Sequence, residues 1–172
     1  MKKALIVIDM QNDFITGALG SKAAADIVPD VVDLVRNFEG FICFTQDTHY
    51  EDYWDTLEGK SLPVEHCQYG SKGWEIIPEL KQYAYFCIPK STYAFPYWHT
   101  PYWAEEFHDV EEIVLCGVCT DICVISNALA LRAFFPNCKI TVDARCCVGL
   151  TEAKHLAALE VMKSCNINVI NE

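Results

Sequence analysis

Six short stretches of this chain are almost continuously apolar: residues 3–9 (KALIVID), 40–47 (GFICFTQD), 83–90 (YAYFCIPK), 111–117 (EEIVLCG), 138–144 (CKITVDA) and 166–171 (NINVIN). Runs of this length, rich in β-branched residues and lacking polar alternation, predict strands covered on both faces, as in a parallel sheet. Between them the period changes. Ile27, Val31, Leu34 or Val35, and Phe38 share one face of a helix whose first turn accommodates Pro29. A second helix is expected to start with Thr120 or Asp121 as its cap and to run to about Phe135, where Pro136 stops it. A third is capped by Thr151 and runs from Glu152 to about Ser164.

This alternation predicts a single domain over residues 1–172, built on an open, mostly parallel six-stranded α/β sheet with helices on both faces. Two insertions interrupt it, residues 48–74 and the aromatic stretch 91–103 (STYAFPYWHTPYW). Loops that long in a compact chain are usually functional. Ligands of open α/β sheets bind beyond the carboxyl ends of the strands. That rule selects Asp9, Asp47, Lys90 and the 117–123 turn.

Composition narrows the function classes. With 52% hydrophobic and 22% charged residues in 172, the chain can bury a full core. Its 13 Lys+Arg against 24 Asp+Glu leave a net charge of −11, which disfavours nucleic acid or an anionic membrane as partner. The apolar run behind Lys2 and Lys3 stops at Asp9, too short for a signal-peptide core, and no stretch approaches the roughly 20 apolar residues of a membrane span. A cytoplasmic location is the expectation. Ten cysteines in a reducing compartment need an explanation other than disulfides. Cys43, Cys87, Cys116 and Cys138, lying in apolar runs, read as small buried hydrophobes.

The stretch GVCTDICV (117–124) asks for more. Cys116 and Cys119 have the spacing of a redox pair but begin inside a strand, and adjacent Cys146 and Cys147 chelate zinc poorly. Cys123 instead falls in the first turn of a helix, where the dipole favours the thiolate. With Asp9 and Lys90 at two other strand ends it forms a set suited to covalent acyl transfer: a nucleophile, a cation to stabilise it, and a carboxylate to shuttle the proton. A second constellation follows the second strand. Asp47 and His49 are two apart, so their side chains point the same way, and Glu58 and His66 lie in the loop beyond. One Asp, two His and a Glu suit one divalent ion, zinc first and iron or manganese next. On spacing alone, the same residues serve equally well as turn caps.

Taken together, IDMQNDF, IPKSTYAF, GVCTDICV and VDARCCVGLTEAKHLAALEVM resemble the motifs of the isochorismatase-like cysteine hydrolases, and within them the nicotinamidase branch, over nearly the whole chain. The resemblance implies Asp9 as general base, Lys90 as stabilising cation and Cys123, not Cys119, as nucleophile. It implies a cis peptide before Cys119, an oxyanion hole made of the Cys119 and Cys123 backbone N–H groups, and a packing role for His155. It further implies a metal held by Asp47, His49, His66 and Glu58 that binds a pyridine nitrogen; the additional His of some nicotinamidases falls on Asp55 here. Phe14, Tyr93 and Phe95 flank these motifs and are candidate walls for a substrate ring. The implied activity is hydrolysis of nicotinamide, or a similar small carboxamide, to the acid and ammonia through a thioester. The alternatives are an isochorismatase-like or ureido/carbamoyl amide hydrolase of the same superfamily and, from another class, a non-catalytic binding module of this fold. Assembly as a homo-oligomer is compatible with either, with residues 93–103 closing the site or packing on a second copy.

Overall fold

In a computed structural model, described for residues 2–172, the strands are β1 (Lys3–Ile8), β2 (Phe41–Asp47), β3 (Cys87–Lys90), β4 (Glu112–Val118), β5 (Lys139–Val148) and β6 (Asn168–Ile170). They pair in the order β3-β2-β1-β4-β5-β6, every pair parallel. The connections carry helices α1 (Asn12–Ile15), α2 (Lys22–Asp26), α3 (Val28–Asn37), α4 (Leu57–Ser61), α5 (Pro78–Lys81), α6 (Pro101–Glu106), α7 (Ile125–Phe134) and α8 (Glu152–Ser164). The open α/β sheet is therefore as expected, and wholly parallel. Strand β4 is buried along its full length and β1 from Ala4 onward, which requires cover on both faces. Each fully buried side chain such as Leu5, Ile6 or Leu115 contributes roughly 1.5–3 kcal/mol.

Several boundaries depart from the sequence expectation for physical reasons. Only Cys87–Lys90 of the 83–90 run is strand, because Tyr83 and Ala84 turn back on Leu80 and Lys81. The strand lies at the sheet edge, where Pro89 removes no needed donor. Its outward face leaves Cys87 exposed, so that cysteine is not a core residue. The fifth strand runs on to Val148, past a register shift opposite Cys116. The Glu152–Ser164 helix matches, with Thr151 accepting from the Lys154 N–H. The helix expected from Thr120 does not: Thr120–Val124 forms a π turn with Cys119 at its cap, and α7 begins only at Ile125. Neither Thr120 nor Asp121 caps it, because both side chains are engaged elsewhere. Thr120 Oγ1 bonds His155 Nδ1 at 2.8 Å, and Asp121 Oδ1 accepts the Leu150 N–H at 2.9 Å.

The parallel register brings the chemistry together. Ile8 pairs with Gly117, and Asp47 with Lys90, so Asp9, Asp47, Lys90 and the turn after β4 leave the sheet along one edge. Gly117 adopts φ +114°, and a Cβ there would collide with the Ile8 carbonyl, so only glycine serves.

Candidate active site

Asp9, the first residue beyond β1, takes φ +50° and is completely buried. Thr45, one strand over, holds it twice: its hydroxyl donates to Asp9 Oδ1 at 2.6 Å and accepts the Asp9 N–H at 3.2 Å. The other oxygen, Oδ2, lies 2.7 Å from Lys90 Nζ but accepts no well-formed hydrogen bond. Lys90 Nζ also stands 3.6 Å from Cys123 Sγ and 3.4 Å from Asp47 Oδ1. The ammonium is thus common to all three. Burial opposes its charge, but Asp9, Cys123 and Asp47 together raise its pKa, so Lys90 stays protonated. Burial raises Asp9 above the ordinary aspartate value, with Lys90 pulling the other way. Burial likewise pushes the Cys123 thiol well up; Lys90 draws it back, while Asp9 and Asp47 add to the rise. The helix start is thus one influence among several on this thiol. Desolvation and the two carboxylates work against the thiolate that the helix start and Lys90 favour.

The π turn presents that sulfur. The Val118–Cys119 peptide is cis. The Cys119 carbonyl accepts the N–H groups of Ile122 and Val124, both at 3.1 Å, passing over that of Cys123. Asn127, fully buried on α7, ties the turn to the aromatic stretch. Its Nδ2 donates to the Cys123 and Tyr93 carbonyls at 2.8 and 3.1 Å, and its Oδ1 accepts the Phe95 N–H and Trp98 Nε1–H, both at 2.9 Å.

Beside this triad, Asp47, His49, Glu58 and His66 each offer one donor atom, all within 4.8 Å of one another. His49 Nε2 lies 2.9 Å from Asp47 Oδ2, and Glu58 Oε1 is 3.8 Å from both imidazoles. His66 Nδ1 bonds the Val64 carbonyl at 2.8 Å, which leaves its Nε2 facing the cluster. His49 Nε2 is buried without a hydrogen bond, an orphan that a cation would satisfy. Burial would raise Asp47, but His49, His66 and Lys90 hold it well below the usual carboxylate range, so it is an ionised donor. The residues fit a divalent ion. The buried ring of Tyr53 backs both imidazoles, at 4.7 and 5.3 Å between centroids.

Between triad and cluster lies a cavity of about 170 Å³ lined by Phe14, Leu19, Asp47, Glu58, Leu62, His66, Tyr93, Cys119, Ile122, Cys123 and Leu150. Two of the three expected ring walls, Phe14 and Tyr93, are there. Phe95 is not: it packs on Trp98 and Trp103 beneath the aromatic stretch, at 4.9 and 6.1 Å. The aliphatic walls Leu19, Leu62, Ile122 and Leu150 escaped the sequence reading, since single leucines in loops carry no pattern. Thr45 and Gln11 also escaped it, although a polar residue within or just after a buried strand is a usable signal.

A buried thiol, ammonium and carboxylate meet at adjoining ends of a parallel sheet, the groups that nucleophilic catalysis requires. The isochorismatase domain model matches residues 3–172, and the chain belongs to that family. Over 98% of each chain it is 26% identical to a nicotinamidase/pyrazinamidase of Mycobacterium tuberculosis. Among solved structures it resembles the pyrazinamidase of Pyrococcus horikoshii in complex with zinc (28% identity, 100% of both chains, TM-score 0.83). It also resembles the nicotinamidase/pyrazinamidase of Bacillus subtilis (27% identity, 99% of this chain and 100% of that one, TM-score 0.85).

Proposed function

We propose that this chain is a metal-assisted cysteine amidase that hydrolyses nicotinamide, or a similar small neutral carboxamide, to the acid and ammonia. The observation that carries the reading is the cavity, which has Cys123 and the donors Asp47, Glu58 and His66 among its walls. At about 170 Å³ it falls below the roughly 300 Å³ at which drug-sized pockets begin, and so suits one small ring. Among the described residues no Lys or Arg lines it. Apart from the buried Lys90 behind Cys123 and the proposed ion, a substrate that carries its own carboxylate, such as an N-carbamoyl amino acid, finds no ammonium or guanidinium in those walls to receive it. The nicotinamidase and pyrazinamidase relatives support the same choice.

In this reading Asp9 Oδ2 takes the Cys123 proton, and the Lys90 ammonium stabilises the thiolate formed beside it. Sγ then attacks the amide carbon. The resulting oxyanion is received by the backbone N–H groups of Cys119 and Cys123, each worth about 3 kcal/mol. Asp9 returns its proton to the nitrogen as the C–N bond breaks and ammonia leaves, giving a thioester on Cys123. Asp9 next deprotonates a water that attacks the thioester carbonyl, and the acid departs as Sγ regains a proton. A divalent ion held by Asp47, His49, Glu58 and His66 would supply a Lewis-acidic contact for the pyridine nitrogen and so orient the ring. Phe14 and Tyr93 flank that ring.

Ammonia release from nicotinamide, measured beside release from N-carbamoylsarcosine, tests the substrate class. Release from nicotinamide is expected, and release from the carbamoyl compound alone would overturn the reading.

A further inference from the structure

Two side chains just past β1 touch neither triad nor cavity, yet both are bound to the backbone of the cluster. Gln11 is completely buried. Its Oε1 accepts the Asp47 N–H at 2.7 Å, and its Nε2 donates to the Asp47 carbonyl at 2.8 Å and the Trp74 carbonyl at 2.9 Å. A primary amide that pairs with both peptide groups of one residue does what a further strand residue would do. Asp47, the last residue of β2, is thus held as though β1 continued beside it. Asp13 acts in the same way on the other side. Its Oδ2 accepts the N–H of Cys67, the residue after His66, at 2.8 Å, and Cys67 takes φ +45°. Gly73 lies against that carboxylate, where a Cβ would collide with Asp13 Oδ2. The two grips meet, because the Cys67 carbonyl accepts the His49 N–H at 3.0 Å.

We propose that Gln11 and Asp13 are positioning residues for the metal centre: they preset the backbone carrying Asp47, His49 and His66, and thereby set divalent-ion affinity and coordination geometry without touching ion or substrate. The inference rests on the reading of Asp47, His49, Glu58 and His66 as metal ligands. Groups of this kind typically govern metal affinity by 10- to 100-fold. A purely structural role would lower the stability of the fold and leave the site of the folded protein unchanged.

The test is a titration of the chelator-stripped full chain with Co²⁺, followed by its visible absorption, and a competition with Zn²⁺. Gln11→Ala and Asp13→Ala are expected to bind both ions some 10- to 100-fold more weakly than the parent and to alter the Co²⁺ bands. Asp13→Asn, which keeps an acceptor for the Cys67 N–H, stays close to the parent. Gln11→Glu keeps the shape and the acceptor but loses the Nε2 donors, so it shows the same loss should Gln11→Ala not fold. Unchanged affinity and spectrum in folded Gln11 and Asp13→Ala variants would overturn the inference alone. A parent chain that takes up neither ion would overturn the metal reading and the inference with it.

Discussion

At the scale of single residues, Asp9 concentrates the account. Its backbone is left-handed, and Thr45 occupies one carboxylate oxygen while the other accepts no hydrogen bond, which in the proposed mechanism leaves it for the proton. In the proposed mechanism Asp9→Asn removes the base, and kcat/KM should fall by about 10²- to 10⁴-fold in a steady-state ammonia assay. Because burial raises the Asp9 pKa and the base works ionised, activity should rise with pH through a value above that of an ordinary aspartate. Thr45→Val removes a bond that favours the ionised form and should move this acidic limb further up. A pH profile of kcat/KM that does not move would show that Asp9 is not the titrating base. The strand-end rule found Asp9, Lys90 and Cys123 in the sequence, because parallel strands deliver their last residues to one edge whatever lies between. Thr45 went unread: its partner is set by register, and register depends on which strands become neighbours.

At the scale of elements, the nucleophile turn departs most from what its sequence implied. Thr120 and Asp121 are good capping residues, but their side chains reach the α8 segment instead, and the chain forms a π turn before α7. Local preference lost to tertiary partners that lie some thirty residues on, near Leu150 and His155. By contrast Thr151 and the helix behind it were legible, since cap and partner lie within one turn. Asn127 ties the 119–124 turn to the aromatic stretch through four hydrogen bonds, one to the Cys123 carbonyl and three to Tyr93, Phe95 and Trp98. Asn127→Ala would strand several of those groups and should destabilise the chain by about 3 kcal/mol or more in urea unfolding. A second element-level test lies at the far end of the sheet. Burial works against ionisation of Glu112, but Thr141, Lys139 and Lys3 hold its carboxyl down to about 2, against an ordinary 4.5. A lowered folded value means stability that is present above the ordinary value and lost as pH falls through the folded one. Unfolding free energy should therefore drop by about 2–3 kcal/mol between roughly pH 5 and pH 2 through this residue, and Glu112→Gln should abolish that part of the acid dependence.

At the scale of the whole molecule, the apolar runs were enough for the parallel sheet, because its four inner strands are covered on both faces. The edge strands β3 and β6, which their apolar runs also predicted to be covered, keep exposed residues since each has a neighbour on one side alone. Loop destinations were not legible in the same way. His49 and His66 come together only when residues 48–74 fold back, and Phe95 turns into the aromatic core where Tyr93 reaches the cavity. No helix among the described residues is long and apolar enough to cross a membrane. If the cluster binds its ion in the folded state alone, stripping the metal should lower the melting temperature. Zn²⁺ at about a hundred times its dissociation constant should restore roughly 2.7 kcal/mol of stability. Equal melting temperatures with and without Zn²⁺ would speak against a metal at that cluster. The proposed reaction passes through a covalent thioester, which intact-mass analysis after acid quenching of a reaction with nicotinamide would detect. A species heavier by one nicotinoyl group is expected in the parent chain, mapped to Cys123 and missing from Cys123→Ala, which should also release no ammonia. Ammonia release by Cys123→Ala at the parent's rate would contradict the proposed reaction.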